Sequence, residues 1–126
     1  MVEKDFYPLI NKYYQKHARE TIVWEAKITK GKTISFNCLL PHQEENLLKA
    51  EDVFTYKIPD VGRALKPFDG FVVYGGTAVF IAIYYLPRKT EIYEILFRDF
   101  VNEKYKSGKK SLTIERAREI ARAVIK

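Results

Sequence analysis

Thr21-Ile22-Val23-Trp24-Glu25-Ala26-Lys27-Ile28 is the stretch that decides the fold. Its β-branched and aromatic residues predict a strand, and successive side chains of a strand point to opposite faces. Trp24, Ala26 and Ile28 therefore share one face, and Glu25 and Lys27 share the other. A carboxylate and an ammonium beside each other on so apolar a strand are costly unless something uses them. Metal-dependent phosphodiester hydrolysis is one such use. The carboxylate holds the metal, and the amine steers or deprotonates the attacking water.

Upstream, Phe6, Leu9, Ile10, Tyr13 and Tyr14 follow helical spacing and predict a helix over residues 5–18, with Asp5 as its cap and Pro8 in its first turn. Downstream, Thr29-Lys30-Gly31-Lys32-Thr33 is a turn, and residues 33–38 suit a short return strand. Pro41 opens a helix to about Ala50, with Gln43, Leu47 and Ala50 on one face. Phe54 to Ile58 reads as a short strand, and residues 59–63 read as a loop. Phe68 to Tyr74 and Ala78 to Tyr85 flank Gly75-Gly76 and read as a hairpin. Glu91 to Leu96 is a further strand and Arg98 to Tyr105 a short helix. Ser107 to Leu112 is a basic loop, and Thr113 caps a last amphipathic helix bearing Ile114, Ala117, Ala121 and Val124. The expectation is one α/β domain spanning 1–126, with a central mixed sheet flanked by helices.

The span from Trp24 to Leu48 resembles the nuclease superfamily with the PD-(D/E)xK signature. It is closest to Holliday-junction resolvases of the Gram-positive RecU type. Glu25, Ala26, Lys27, Thr29, Lys32, Ser35, Phe36, His42 and Gln43 carry the likeness. Ala78 to Ile83 is similar to the strand that follows the family's helix, and Lys110-Ser111-Leu112 to a late element. The likeness implies a restriction-endonuclease-like fold and catalysis by Glu25, Lys27, Gln43 and an Asp. Glu25, the Asp and the Ala26 carbonyl would be ligands of Mg²⁺, which Mn²⁺ could replace. It also implies a homodimer acting on branched or duplex DNA, since a two-fold dimer places two identical sites on a symmetric junction.

The family's Asp precedes its ExK strand, whereas this chain has no Asp-bearing strand upstream of Glu25. Asp69, heading an apolar stretch that ends in Gly75-Gly76, is the favoured substitute. Asp60, in a Pro-Asp-Val-Gly turn, is its rival. If Asp69 stood in the family's usual order, the next strand should carry ExK. It carries Ala82 and Tyr84 instead, and the domain would then be a dead, DNA-binding nuclease. A restriction-like or flap nuclease is the other alternative.

The chain has 126 residues, 47% of them hydrophobic, with nine Tyr and eight Phe, enough for one core. No apolar run approaches membrane-spanning length, so no membrane partner is expected. The start of the chain lacks a signal-peptide pattern, and a single cysteine, Cys38, suits a reducing, cytoplasmic setting. Cys38 reads as a small buried residue rather than a nucleophile. Net charge is +6, concentrated in residues 86–126, which carry 11 Lys and Arg against 6 Asp and Glu. Such a balance favours polyanions. Lys30, Lys32, Ser35, Lys106, Lys109 and Lys110 are the candidate phosphate contacts. Tyr84, Tyr85 and Tyr93 read as sheet-face residues.

Overall fold

A computed structural model of the protein describes residues 2–52, 54–57, 69–73 and 75–126. A four-stranded sheet organises the chain. It is built from β1 (Ile22–Thr29), β5 (Thr77–Tyr85), β6 (Thr90–Leu96) and β8 (Ala123–Val124), in the order β1-β5-β6-β8. β1 runs parallel to β5, and the other neighbours are antiparallel. A parallel pair requires a crossover. Here it includes α2 (Pro41–Lys49), which joins one face of the sheet.

The opposite face is covered by a 3-10 turn (Glu3–Phe6) and α1 (Tyr7–His17). Phe6 and Ile10 pack there on Ala26, Val79, Ile81, Ile83 and Ile92. On the α2 face, Leu47 and Ala50 meet Phe97 and Phe100 of α3 (Phe97–Lys106), and Ile114 and Ala117 of α4 (Ile114–Ile120). Ala78, Phe80, Ala82 and Tyr84 supply the sheet side of that core. Because β5 is covered on both faces, its sequence is an unbroken apolar run. The α/β class and the mixed sheet flanked by helices are therefore as expected. The two faces of β1 also divide as expected: Trp24, Ala26 and Ile28 lie with α1, and Val23 lies with the α2 core.

Several elements differ from the sequence reading. Thr33 to residue 38 does not return along β1. Its ordered part, β2 (Thr33–Ser35), pairs with β7 (Ser111–Thr113), inside what reads as a basic loop. Ile34 and Leu112 face inward and are buried, and this burial drives the pairing of two remote three-residue strands. The Gly75-Gly76 hairpin does not form either. β4 (Gly70–Val73) pairs with β3 (Phe54–Lys57), while β5 inserts between β1 and β6. Asp5 lies inside the first turn, where its carboxylate accepts the Val2 N–H at 2.8 Å. The last helix stops at Ile120, and Val124 lies half-exposed on β8. There the Arg122 N–H donates to the Glu94 carbonyl at 2.7 Å. Thr113 caps α4 as expected, its hydroxyl accepting the Arg116 N–H.

Gly75 adopts a φ of 53° in open space, but Gly76 has a steric role. A Cβ there would lie 2.8 Å from the Ala50 carbonyl, backbone that closes α2 against the start of β5. Gly76→Ala is expected to cost about 1–3 kcal/mol in denaturant unfolding, because backbone must shift. Gly75→Ala meets no atom and should cost about 1 kcal/mol, from its left-handed φ alone.

Candidate active site

β1 ends the sheet, so among the described residues its outer edge has no strand partner. The Thr77 N–H donates to the Thr21 carbonyl, which fixes which peptide groups of β1 face β5. Alternation along the strand then turns the Ala26 carbonyl toward the open edge. Glu25 and Lys27 flank it on the α2 face, with side chains 26% and 20% exposed. Their charged atoms stand 3.8 Å apart.

Gln43 completes the group. Its amide oxygen accepts the Leu40 N–H at 3.0 Å, capping α2. That bond orients the amide nitrogen toward Glu25, to whose Oε1 it donates at 2.9 Å. The sequence reading allowed Gln43 to orient Lys27 or a water; its partner here is Glu25. Glu44, the next residue, takes the Lys104 ammonium at 3.1 Å and so ties α2 to α3 behind the site. His42 lies close enough for its charge to act on Glu25.

Burial raises the Glu25 carboxyl above the ordinary carboxylate range; the Lys27 charge opposes this and Glu3 adds to it. Glu3 is the residue the sequence did not single out. The Tyr7 hydroxyl donates to it at 3.1 Å, and the Tyr7 ring stands edge-on to Trp24, 5.2 Å between centroids. The aromatic pair thus brings the 3-10 turn to β1. Its sequence signal, an acid near the first helix, is shared with Asp5 and Glu20, so nothing in the sequence chose among the three. Cys38 lies near Lys27, and burial pushes its thiol up to about 11, in keeping with a structural thiol.

Asp69 is exposed and immediately precedes β4. The pairing expected to carry it to Glu25 was β4 beside β1; β4 lies beside β3 instead. Asp60 lies outside the described residues. On β5, Ala82 and Tyr84 are fully buried, so that strand presents core rather than a site. Tyr93 is also buried and Tyr85 packs against the α1 core.

Among the described residues, no three Asp, Glu, His or Cys side chains stand close enough to hold a metal ion together. The donors at β1 are nevertheless hard oxygen: the Glu25 carboxylate and the nearby Glu3 carboxylate, whereas the Ala26 carbonyl, though turned to that edge, belongs to a residue with no exposed surface. Such carboxylates suit magnesium, which takes one or two of them and fills its remaining positions with water and phosphate.

The candidate phosphate contacts lie along the β2-β7 ribbon and, for Lys106, at the end of α3 beside it. In the β2-β7 ribbon, Ile34 and Leu112 point inward. Thr33, Ser35, Ser111 and Thr113 therefore point outward, paired Thr33↔Thr113 and Ser35↔Ser111. Lys30 and Lys32 lie at one end, and Lys109 and Lys110 at the other. The Lys32 carbonyl accepts from Ile114, and that of Lys110 from Phe36, which locks both ends. Lys30, Lys32, Lys106, Lys109 and Lys110 are exposed and make no ion pair among the described residues. β2 then runs on to Cys38, beside Lys27. Among the described residues no helix is long and apolar enough to cross a membrane. No protein-family model, curated protein or solved structure matches the chain.

Proposed function

We propose that this protein is a magnesium-dependent, structure-specific endodeoxyribonuclease, a Holliday-junction resolvase acting as a homodimer on branched DNA. The observation that carries the reading is the Glu25–Lys27–Gln43 cluster on β1, the outermost strand of its sheet among the described residues, next to a ribbon of outward hydroxyls and exposed lysines. Glu25 and Glu3 would hold the magnesium, and the Ala26 carbonyl, which the resemblance also assigns to it, would join them on uncovering of the β1 edge. Bound there, the ion supplies Lewis-acid polarisation of the phosphate and a water of lowered pKa. Lys27 places a positive charge where negative charge grows on the phosphoryl oxygens. Gln43 fixes the carboxylate that Lys27 faces. The ribbon hydroxyls and lysines grip the strand backbone, which positions without reading sequence. The resemblance assigns a further carboxylate to Asp69, which immediately precedes β4.

A catalytically dead DNA-binding module is the second reading, favoured by the pairing of β4 with β3. Cleavage of four-way junction, duplex and flap DNA with magnesium, and with chelator, separates these. Cutting confined to junctions supports the resolvase, and broad cutting supports a restriction-like or flap nuclease. Binding without cutting supports the dead module.

Gln43→Ala should lower the cleavage rate by about 10–100-fold, as loss of a ligand-orienting partner does, with junction binding retained. Rates within twofold of the parent would remove Gln43 from the site. Neutralising Lys30 and Lys32 together should flatten the dependence of log affinity on log salt by about one unit per lysine. An unchanged slope would place the DNA elsewhere.

A further inference from the structure

Beside the ribbon, on the side away from β1, a cavity of about 440 Å³ opens between the end of α3, β7 and the start of α4. Its walls are of four kinds, one of them the ion pair of Glu103 with Arg116, which neutralises the lining carboxylate. Lys106 and Lys109 bring exposed ammonium groups. Phe36 and Leu112, core residues 3% and 1% exposed, close it off from the core beneath, and the methylene stems of the two lysines give it apolar surface. Ser107, Ser111 and Thr113 add hydroxyls.

Two features make this a shaped site. Gly108 takes a φ of 70°, and the Ser107 hydroxyl accepts the Lys109 N–H at 3.2 Å, so a tight turn sets Lys109 on the rim. Arg116 is fixed to Glu103 at 2.7 Å and to Glu119 at 2.6 Å. It is therefore a rigid wall, and Lys106 and Lys109 are left as the cations able to meet an incoming anion. The ribbon register supplies a further element. Leu112 lies between the bonded pairs Lys32–Ile114 and Lys110–Phe36, two residues from each, so its own amide groups face β2. Those of Ser111 consequently face the other edge of β7, where a flat ligand could use both a donor and an acceptor.

We propose that this cavity binds one phosphorylated nucleotide of a DNA strand, turned out of its stack. The phosphate meets the ammonium groups of Lys106 and Lys109, the ring packs against their stems above Phe36 and Leu112, and the ring's polar edge meets Ser111 and Thr113. The size falls in the range of small-ligand pockets, roughly 300–1,000 Å³, which suits one nucleotide rather than a continuous backbone. A branched substrate offers unpaired nucleotides at low cost, since unstacking is cheapest where pairing is already broken. The proposal deepens the nuclease reading and rests on it for the identity of the strand, but it needs no cleavage to be tested.

The experiment is a titration of the intact 126-residue chain with deoxythymidine monophosphate, thymidine and inorganic phosphate, each followed by backbone amide NMR. The monophosphate is expected to shift the amides of Ser107 to Thr113 saturably. Thymidine and phosphate should each bind at least about tenfold more weakly, because each keeps one of the two contacts. Lys106→Ala with Lys109→Ala should weaken the monophosphate by a further tenfold or more, while the remaining amide spectrum reports an intact fold. Lys109→Gln alone serves if the pair misfolds. The proposal fails if the monophosphate shifts amides elsewhere, if phosphate binds as tightly as the monophosphate, or if the lysine variants bind like the parent. A chain that binds the monophosphate here and cuts no junction keeps the pocket and loses the nuclease reading. A chain that cuts junctions and ignores the monophosphate does the reverse.

Discussion

Glu25→Gln is expected to lose magnesium-dependent junction cleavage by at least about 10²–10³-fold while folding as well as the parent or better. The rate falls because the amide supplies no charge to a cation, although its oxygen can still accept from Gln43. Stability moves the other way. Burial raises the Glu25 carboxyl in the folded chain, with Lys27 only partly offsetting it. The folded state therefore takes up a proton more readily than the unfolded chain does. Ionised Glu25 costs stability above the unfolded-chain value, and that cost disappears as pH falls through the raised folded value. Glutamine carries no such cost at any pH. The variant should match or exceed the parent in urea unfolding at pH 7, and the two should converge in acid. Lys27→Ala should also abolish cleavage with junction binding largely retained. Normal turnover by either variant, or collapse of the Glu25→Gln fold at pH 7, would remove the assigned site.

What the sequence revealed and what it hid divide along local and long-range pairing. The faces of β1 were legible because alternation is a local property, as were Pro41 opening α2 and Thr113 capping α4. The meeting of Gln43 with Glu25 was legible only as a common side of the fold; the bond itself needs the Leu40 N–H to turn the amide. The β2-β7 ribbon was not legible, since two three-residue strands with 75 residues between them carry no periodic signal of their own. The Gly75-Gly76 pair suggested a hairpin through its composition. Gly76 is instead needed for the close approach of Ala50, a packing demand that composition does not distinguish from a turn. Glu3 was obscure for a similar reason: its nearness to Glu25 depends on the edge-on packing of Tyr7 against Trp24. The helical spacing past Ile120 misled because β8 is recruited by a buried acid on another strand.

That acid sets the largest stability effect expected of a residue outside the hydrophobic core. Glu94 of β6 is 2% exposed. It accepts from the Tyr14 hydroxyl of α1 and from the Arg122 side chain. Arg122 also donates to Glu20 at 3.0 Å, whose other oxygen takes the Thr77 hydroxyl at 2.8 Å. One guanidinium thus joins the last strand to β6, and through Glu20 to the start of β5. Arg122→Ala leaves a buried carboxylate with the tyrosine alone. Removing one partner of a buried pair costs about 3–5 kcal/mol. Arg122 is itself 36% exposed, so water can partly replace it and the low end, about 3 kcal/mol, is expected. Replacing both charges should be milder, because no uncompensated ion remains. Glu94→Gln combined with Arg122→Leu should therefore recover at least about 1 kcal/mol relative to the sum of the single changes. The measurement is a double-mutant cycle in guanidinium unfolding. Additive losses, or an Arg122→Ala cost below about 1 kcal/mol, would mean that β8 is held by its ladder and Ile125 rather than by the buried pair.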